Sequence, residues 1–160
     1  MSPTSDVTGS APALLPEFSF VASLKEPLEF GAGPFGARIY FEVTGGRAQG
    51  ERFNADVLPG GGDWLLVGPD GLARLDVRAG FRTDDGALIY AQYPGILELN
   101  DVVANALATG GSTAIEDQYF RSTPRFETGD ERYAWMQQSV FLTVGRLLDG
   151  CVQYQVYRVA

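Results

Sequence analysis

The segment Tyr119–Trp135, YFRSTPRFETGDERYAW, interleaves aromatic rings with arginines and carboxylates. Read as two strands and a joining hairpin, it sends alternate residues to opposite faces. Arg121, Arg125 and Glu127 then share one side and Phe120, Ser122 and Phe126 the other, with a slip of parity at Pro124. Arg125 is a candidate anchor for an oxyanion or carboxylate, because a guanidinium donates in a planar fork; an ion pair with Glu127 or Glu131 is its competing role. Tyr133 and Trp135 fall on one face of the following strand, as pocket wall or core. This concentration of groups matters because the 160-residue chain has no histidine and a single cysteine, Cys151. Its chemistry must come from carboxylates, arginines, tyrosines and tryptophans.

Other candidates follow from position. Asp76 and Arg78 lie two apart on one strand and share a face. If that face is a barrel lumen they must pair or bind a ligand, since one buried charge left alone costs roughly 3–5 kcal/mol; if it faces solvent they form a weak surface pair. Asp63 and Trp64 follow three glycines, which let backbone approach a ligand, although no Gly-Lys-Ser/Thr follows to make a phosphate loop. Tyr40 and Tyr90 are phenols able to donate to a developing oxyanion, or ordinary packing aromatics. Asp84-Asp85 resembles a carboxylate pair for acid–base work, but the next residue is Gly86, which reads as a hairpin turn. Cys151 has no histidine partner to activate it.

The elements that must position these groups are strands. Turn residues recur every 8 to 14 positions: Gly31–Pro34, Gly45-Gly46, Pro59–Gly62, Gly68–Gly71, Asp84–Gly86, Pro94-Gly95, Thr128–Asp130 and Asp149-Gly150. Between them the residues alternate. Phe18, Phe20, Ala22 and Leu24 share a face, as do Ile39, Phe41 and Val43; Leu75, Val77, Ala79 and Phe81 oppose Arg74, Asp76, Arg78 and Arg82. One window is helical, from an Asn100 N-cap to a Gly110 stop, with Val102, Val103, Ala106 and Leu107 on a stripe. The expectation is an all-β fold, a single antiparallel β-barrel of eight to nine strands over residues 16–160, with one short helix at about 100–109 and a tail at 1–15. A barrel is preferred to a sandwich because the polar strand faces carry paired charges and aromatics, as a lumen lining would, and because Ser139–Val144 is apolar on both faces and needs an outer cover.

The bulk numbers exclude several functions. A net charge of −8 repels phosphate backbones, so no nucleic-acid partner is expected. No apolar run approaches the roughly 20 residues that span a bilayer, so no membrane partner is expected. Met1–Leu15 holds no Lys or Arg before Ala13-Leu14-Leu15 and one cysteine makes no internal disulfide, which together give a cytoplasmic expectation. Without histidine no zinc site is expected, and the reading is of a protein with no metal and no cofactor. Apolar outer strand faces point to a homo-oligomer, most simply a dimer.

Five blocks in order, Pro59–Trp64, Leu75–Arg78, Thr83–Tyr90, Tyr119–Gly129 and Tyr133–Trp135, with a weaker match through Val43–Gly46, resemble domain-of-unknown-function family 3237, also called uncharacterised protein family 0311. The resemblance implies an antiparallel β-barrel similar in architecture to allene oxide cyclases and dirigent proteins; it implies no reaction. Two functions remain open. One is a cofactor-free enzyme performing isomerisation, cyclisation or addition and elimination on a small oxygenated, aromatic or polyketide-like substrate. Asp63 or Asp76 would move the proton, Arg78, Arg125 or a tyrosine would hold the oxyanion, and Tyr40, Trp64, Tyr90, Arg121, Tyr133 and Trp135 would wall the pocket. The other is a carrier barrel that binds a small molecule without catalysis.

Overall fold

The computed structural model describes residues 9–160. Its strands in chain order are β1 (Leu14–Leu24), β2 (Leu28–Gly33), β3 (Gly36–Gly50), β4 (Ala55–Val57), β5 (Gly62–Val67), β6 (Leu72–Thr83), β7 (Leu88–Glu98), β8 (Phe120–Ser122), β9 (Arg125–Glu127), β10 (Phe141–Leu148) and β11 (Cys151–Val159). Eight of them close an antiparallel ring in the order β1-β3-β5-β6-β7-β8-β10-β11, and β11 returns to pair with β1. Strands β2, β4 and β9 lie outside that ring. The helix α1 (Asp101–Thr109) has the Asn100 side chain accepting from the Val103 N–H at one end and left-handed Gly110 at the other, as the sequence implies.

The alternation in β6 shows why the chain closes in this sense. Ala73, Leu75, Val77, Ala79, Phe81 and Thr83 are buried, and Arg74, Asp76, Arg78 and Arg82 are exposed. A strand offers two faces, and sending the four ionised groups inward would require a partner for each in a low-dielectric interior. The apolar face goes in. This corrects the expectation of a charged lumen: the interior is lined by aliphatic and aromatic side chains, and the paired charges decorate the outside.

One half of the barrel is filled. Phe18, Phe53, Phe81, Phe126 and Phe141 interlock there, with Phe18 and Phe53 centroids 4.5 Å apart and Phe126 edge-on to Phe141 at 5.2 Å. Tilted and edge-to-face contacts of this kind favour aromatic clusters beyond their burial. Strand β3 pairs with β5 through Ala37–Glu42 and with β1 from Val43 to Gly50, and the β1 register shifts between Ser23 and Leu24, beside Gly45-Gly46. Gly46 has φ 142°, and a Cβ there would overlap the Val21 carbonyl oxygen.

Two further expectations change. Tyr119–Trp135 is not a hairpin. Strands β8 and β9 both pair antiparallel with β7, so they are two pieces of one path interrupted at Thr123-Pro124. Proline lacks the N–H the ladder needs there. The chain then enters a 3-10 helix over Glu131–Gln137, so Tyr133 and Trp135 sit on a helical turn and not on a strand. The expected tail lies partly outside the described residues; of the remainder, Leu14 and Leu15 already belong to β1, paired with Val159 and Arg158.

Candidate functional site

The other half of the barrel is hollow. A cavity of about 60 Å³ lies between Ala22, Leu24, Phe41, Val43, Leu65 and Leu75 on one side and Leu97, Phe120, Leu147 and Val152 on the other. On the same scale a single water needs about 10–15 Å³, so the space takes a small molecule or a few waters. Leu24, Phe41, Leu107 and Leu147 also line a second hollow of about 200 Å³ outside, bounded by Lys25, Gly110, Gly111 and Cys151. The two spaces are neighbours across these four residues, and Leu107 brings α1 to both.

Three polar side chains reach this apolar chamber: Asp63, Tyr93 and Tyr154. Their placement follows from strand register. Phe41 on β3, Asp63 on β5, Val77 on β6 and Tyr93 on β7 form one row of directly paired residues across four strands. Neighbouring strands are about 4.8 Å apart, so the Tyr93 phenol starts two strands from Asp63 and leans into the same space. Tyr154 enters from β11, where it pairs with Phe20 on β1 and Gly145 on β10. Gly145 leaves room for the Phe120 ring, which meets Tyr154 edge-on at 5.3 Å. The Tyr93 and Tyr154 rings are also edge-to-face, 5.7 Å between centroids.

The Asp63 carboxylate accepts one hydrogen bond, from the Asp76 main-chain N–H at 3.0 Å. Burial is the main influence on it and pushes its pKa up to about 7. The Asp76 N–H and the positive charge of Arg38 oppose that rise, and the negative charge of Asp76 adds to it. Arg38 is not in ion-pair contact with Asp63; its guanidinium donates to the Trp64 carbonyl at 2.7 Å. Tyr93 and Tyr154 are fully enclosed, and burial, reinforced by the Asp63 charge, raises both phenols above their ordinary range. The chamber therefore holds a carboxyl whose pKa burial pushes up to about 7, beside two phenols held above their ordinary range. No lysine or arginine lines it.

Of the ten residues assigned to the site from the sequence, Asp63 alone lines the cavity. Asp76 and Arg78 are on the outer face of β6, for the reason given above. Tyr40 and Trp64 stack on each other outside the barrel, 4.2 Å between centroids, because they share the outward parity of β3 and β5. Tyr90 faces outward on β7 in an exterior groove with Arg78 and Glu127. Arg125 is exposed, 3.8 Å from Glu127. Arg121 donates to the Phe120 carbonyl and lies over the Tyr119 ring. The Tyr133 hydroxyl donates to the Asp85 carboxylate at 2.9 Å, tying the 3-10 helix to the β6–β7 turn. Trp135 lies beneath the Arg52 guanidinium, 3.6 Å away, with its ring near Phe141.

Sequence reading missed Tyr93 and Tyr154. Their signal was parity: Tyr93 shares the inward face of Ile89 and Ala91, and Tyr154 that of Val152 and Val156. Among the described residues no group of three or more Cys, Asp or Glu could hold a metal ion, and no helix is long and apolar enough to cross a membrane.

Comparison with known proteins places this barrel. Residues 12–159 match the model of a family described as protein of unknown function, DUF3237. The chain belongs to that family. A relative, UPF0311 protein CA_C3321 of Clostridium acetobutylicum, is 33% identical over 144 residues, covering 89% of this chain and 91% of its own. The crystal structure of the conserved protein of unknown function RPA1785 from Rhodopseudomonas palustris superposes with a TM-score of 0.86 at 30% identity, over 95% of this chain and 100% of that one. A more distant structure, described as an enzyme from Penicillium herquei, has a TM-score of 0.70 at 20% identity, over 95% of this chain and 97% of that one, and shares the fold.

Proposed function

We propose that the protein is a cofactor-free enzyme that moves a proton on a small, neutral carbonyl compound held in the barrel, in the manner of an isomerase, cyclase or lyase. The observation that carries this reading is Asp63: one carboxyl, unpaired by any cation, its pKa near 7, set in an apolar chamber beside two protonated phenols. A carboxyl raised by an apolar wall and phenols kept neutral are the pair of environments that proton abstraction next to a carbonyl requires. A desolvated Asp63 carboxylate takes a proton from the carbon α to the carbonyl. The oxygen that gains charge receives a hydrogen bond from Tyr93 or Tyr154. The protonated Asp63 then returns the proton to a different carbon, giving a shifted double bond, or serves as the acid in ring closure or elimination. The P. herquei barrel, described as an enzyme, supports the view that this fold hosts catalysis.

The absence of a lining cation sets the substrate's charge. A carboxylate or phosphate would face the Asp63 charge with no counter-ion in a low-dielectric space, so the substrate is neutral. Small size follows from the volume.

The test is proton exchange in heavy water on a panel of small cyclic and aromatic ketones, followed by loss of the α-proton NMR signal. The parent is expected to catalyse exchange or isomerisation of at least one neutral member, and Asp63→Asn to bind that member while losing turnover. A parent that binds but turns over none of the panel supports the carrier reading, which draws on the same apolar cavity. Exchange by Asp63→Asn at the parent rate removes Asp63 from the mechanism.

A further inference from the structure

The hydrogen-bond ladder between β5 and β6 lacks one rung, and the gap lies beside Asp63. The strands pair at Gly62 with Arg78, Asp63 with Val77, Leu66 with Arg74 and Val67 with Ala73, all in one register. That register sets Trp64 opposite Asp76 and Leu65 opposite Leu75, yet neither couple is paired. In an antiparallel ladder every second couple exchanges main-chain hydrogen bonds. The Gly68 N–H donates to the Leu72 carbonyl at 2.9 Å, which fixes the phase: Leu66 with Arg74, Trp64 with Asp76 and Gly62 with Arg78 are the bonding couples. The incomplete one is Trp64 with Asp76.

Both groups of the lost bond have other partners. The Asp76 N–H, which the register aims at the Trp64 carbonyl, donates to the Asp63 carboxylate at 3.0 Å. The Trp64 carbonyl accepts from the Arg38 guanidinium at 2.7 Å. Arg38 belongs to β3, where it pairs with Leu66, and Tyr40 two residues on pairs with Trp64. Arg38, Tyr40 and Trp64 share the outward parity of these strands. The phase of the ladder turns the Trp64 carbonyl toward β6, so the Arg38 side chain crosses the outer surface of β5 to reach it.

We propose that Arg38 is a positioning residue for Asp63: by holding the Trp64 carbonyl it keeps the β5–β6 ladder open at one rung and leaves the Asp76 N–H to the carboxylate. Two acceptors compete for that one donor. A main-chain carbonyl left without a donor costs free energy, so without Arg38 the in-register bond forms and takes the N–H back. Asp63 then faces the apolar chamber with the Tyr93 phenol of β7 and the Tyr154 phenol of β11 nearby and no main-chain donor to fix its oxygens. The charges that act on it from outside are the Asp76 carboxylate on β6 and Arg38 on β3. As a contribution to catalysis this role rests on the proton-transfer reading of Asp63, whereas the exchange of hydrogen-bond partners is measurable without substrate.

The experiment is NMR on the labelled, ligand-free protein. Scalar coupling across a hydrogen bond reports the carbon behind the acceptor of the Asp76 N–H. In the parent that carbon should be the Asp63 carboxyl and not the Trp64 carbonyl, and the Asp76 amide shift should titrate with the Asp63 midpoint. Arg38→Met keeps a long apolar stem and removes the donors. In that variant the coupling should move to Trp64, the Asp76 amide should stop titrating, and the Asp63 midpoint should rise by about one unit as the carboxylate loses its donor. Arg74→Met is the control: it removes a cation from the outer face of β6, where Arg74 pairs with Asp70, and should leave the parent pattern in place. A parent whose Asp76 couples to Trp64 overturns the proposal without any variant. Arg38→Met that still couples Asp76 to Asp63 overturns it too, since Arg38 is then a distant charge and nothing more. So does Arg74→Met if it acts like Arg38→Met. A protein with the expected couplings that moves no proton on any ketone loses the catalytic reading and keeps this one; an active enzyme with a closed ladder does the reverse.

Discussion

Asp63 and Asp76 are joined through the main chain: the Asp76 N–H donates to an Asp63 carboxylate oxygen at 3.0 Å, while the Asp76 side chain points to the outside of the barrel. The two aspartates are therefore not equivalent candidates for one role. Asp76 contributes a backbone donor that fixes the Asp63 carboxylate and, from outside, a negative charge that helps raise its pKa.

Replacing each residue separates those contributions. Asp63→Asn keeps an oxygen to accept from the Asp76 N–H but cannot take a proton, and turnover is expected to fall by about 10²–10⁴. Asp76→Asn keeps the N–H and removes the outer charge. Its maximal rate should stay near that of the parent, and the pH midpoint of kcat/KM should move to lower pH, because an ionised Asp63 is then less disfavoured. Steady-state kinetics across pH 5–9 checks both. Equal losses of maximal rate in the two variants would contradict this division.

The same carboxyl sets a pH dependence of stability. The Asp63 pKa stands near 7 in the folded protein against an ordinary value of 3.8. Between those values the folded chain holds a proton that the unfolded chain has released. Its contribution to stability is greatest below about pH 4, falls as pH rises, and levels off above about pH 7. At about 1.4 kcal/mol per unit, the loss approaches about 4 kcal/mol. Urea denaturation at pH 5, 6, 7 and 8 should show Asp63→Asn gaining on the parent with each step, by about 2–4 kcal/mol at pH 8 relative to acid. A difference between the two proteins that does not vary with pH would place the carboxyl in a solvated setting.

Tyr93 and Tyr154 are expected to act as donors and not as bases, since both phenols are raised above their usual range. Tyr93→Phe and Tyr154→Phe should each lower kcat, the phenol that faces the oxyanion by about 10²–10³. Activity should rise through pH 7 and hold a plateau to at least pH 10. A fall between pH 8 and 9 would mean that one phenol ionises in the working range.

Gly46 tests the close approach of β3 to β1. With φ 142° and the Val21 carbonyl in the path of any Cβ, Gly46→Ala must distort the β1–β3 ladder next to Ala22 and Val43, which line the cavity. A loss of about 3 kcal/mol or more is expected by thermal or urea unfolding, above the usual effect of a surface substitution. Gly129, where a Cβ meets open space, is the comparison.

The barrel was legible because period-2 alternation and regular turn signals are local properties. Phe20 and Ala22 on β1, and Leu75 and Val77 on β6, reveal their face within a few residues. The site was far less so. Its four-strand row, Phe41–Asp63–Val77–Tyr93, exists only once register is fixed from Phe41 to Tyr93, and no local pattern encodes it. Asp63 was recognisable beside its glycines. Asp76, Arg78, Trp64 and Tyr90 were misplaced for one reason: chemistry-bearing residues were assumed to face inward, whereas the apolar side of each strand does. Tyr93 and Tyr154 escaped because a tyrosine at an apolar parity position looks like core until a cavity is seen beside it. The broken strand at Pro124 was read as a hairpin because proline signals an interruption without saying whether the chain reverses.

The most direct test of the central claim is the titration of the Asp63 carboxyl itself, followed by carboxyl-carbon NMR on the labelled protein and assigned by the signal missing from Asp63→Asn. The midpoint should fall near pH 7 and move when a neutral ketone fills the cavity. A midpoint below about pH 5, unmoved by any ligand, would mean an ordinary solvated aspartate, and the proposed base would be gone.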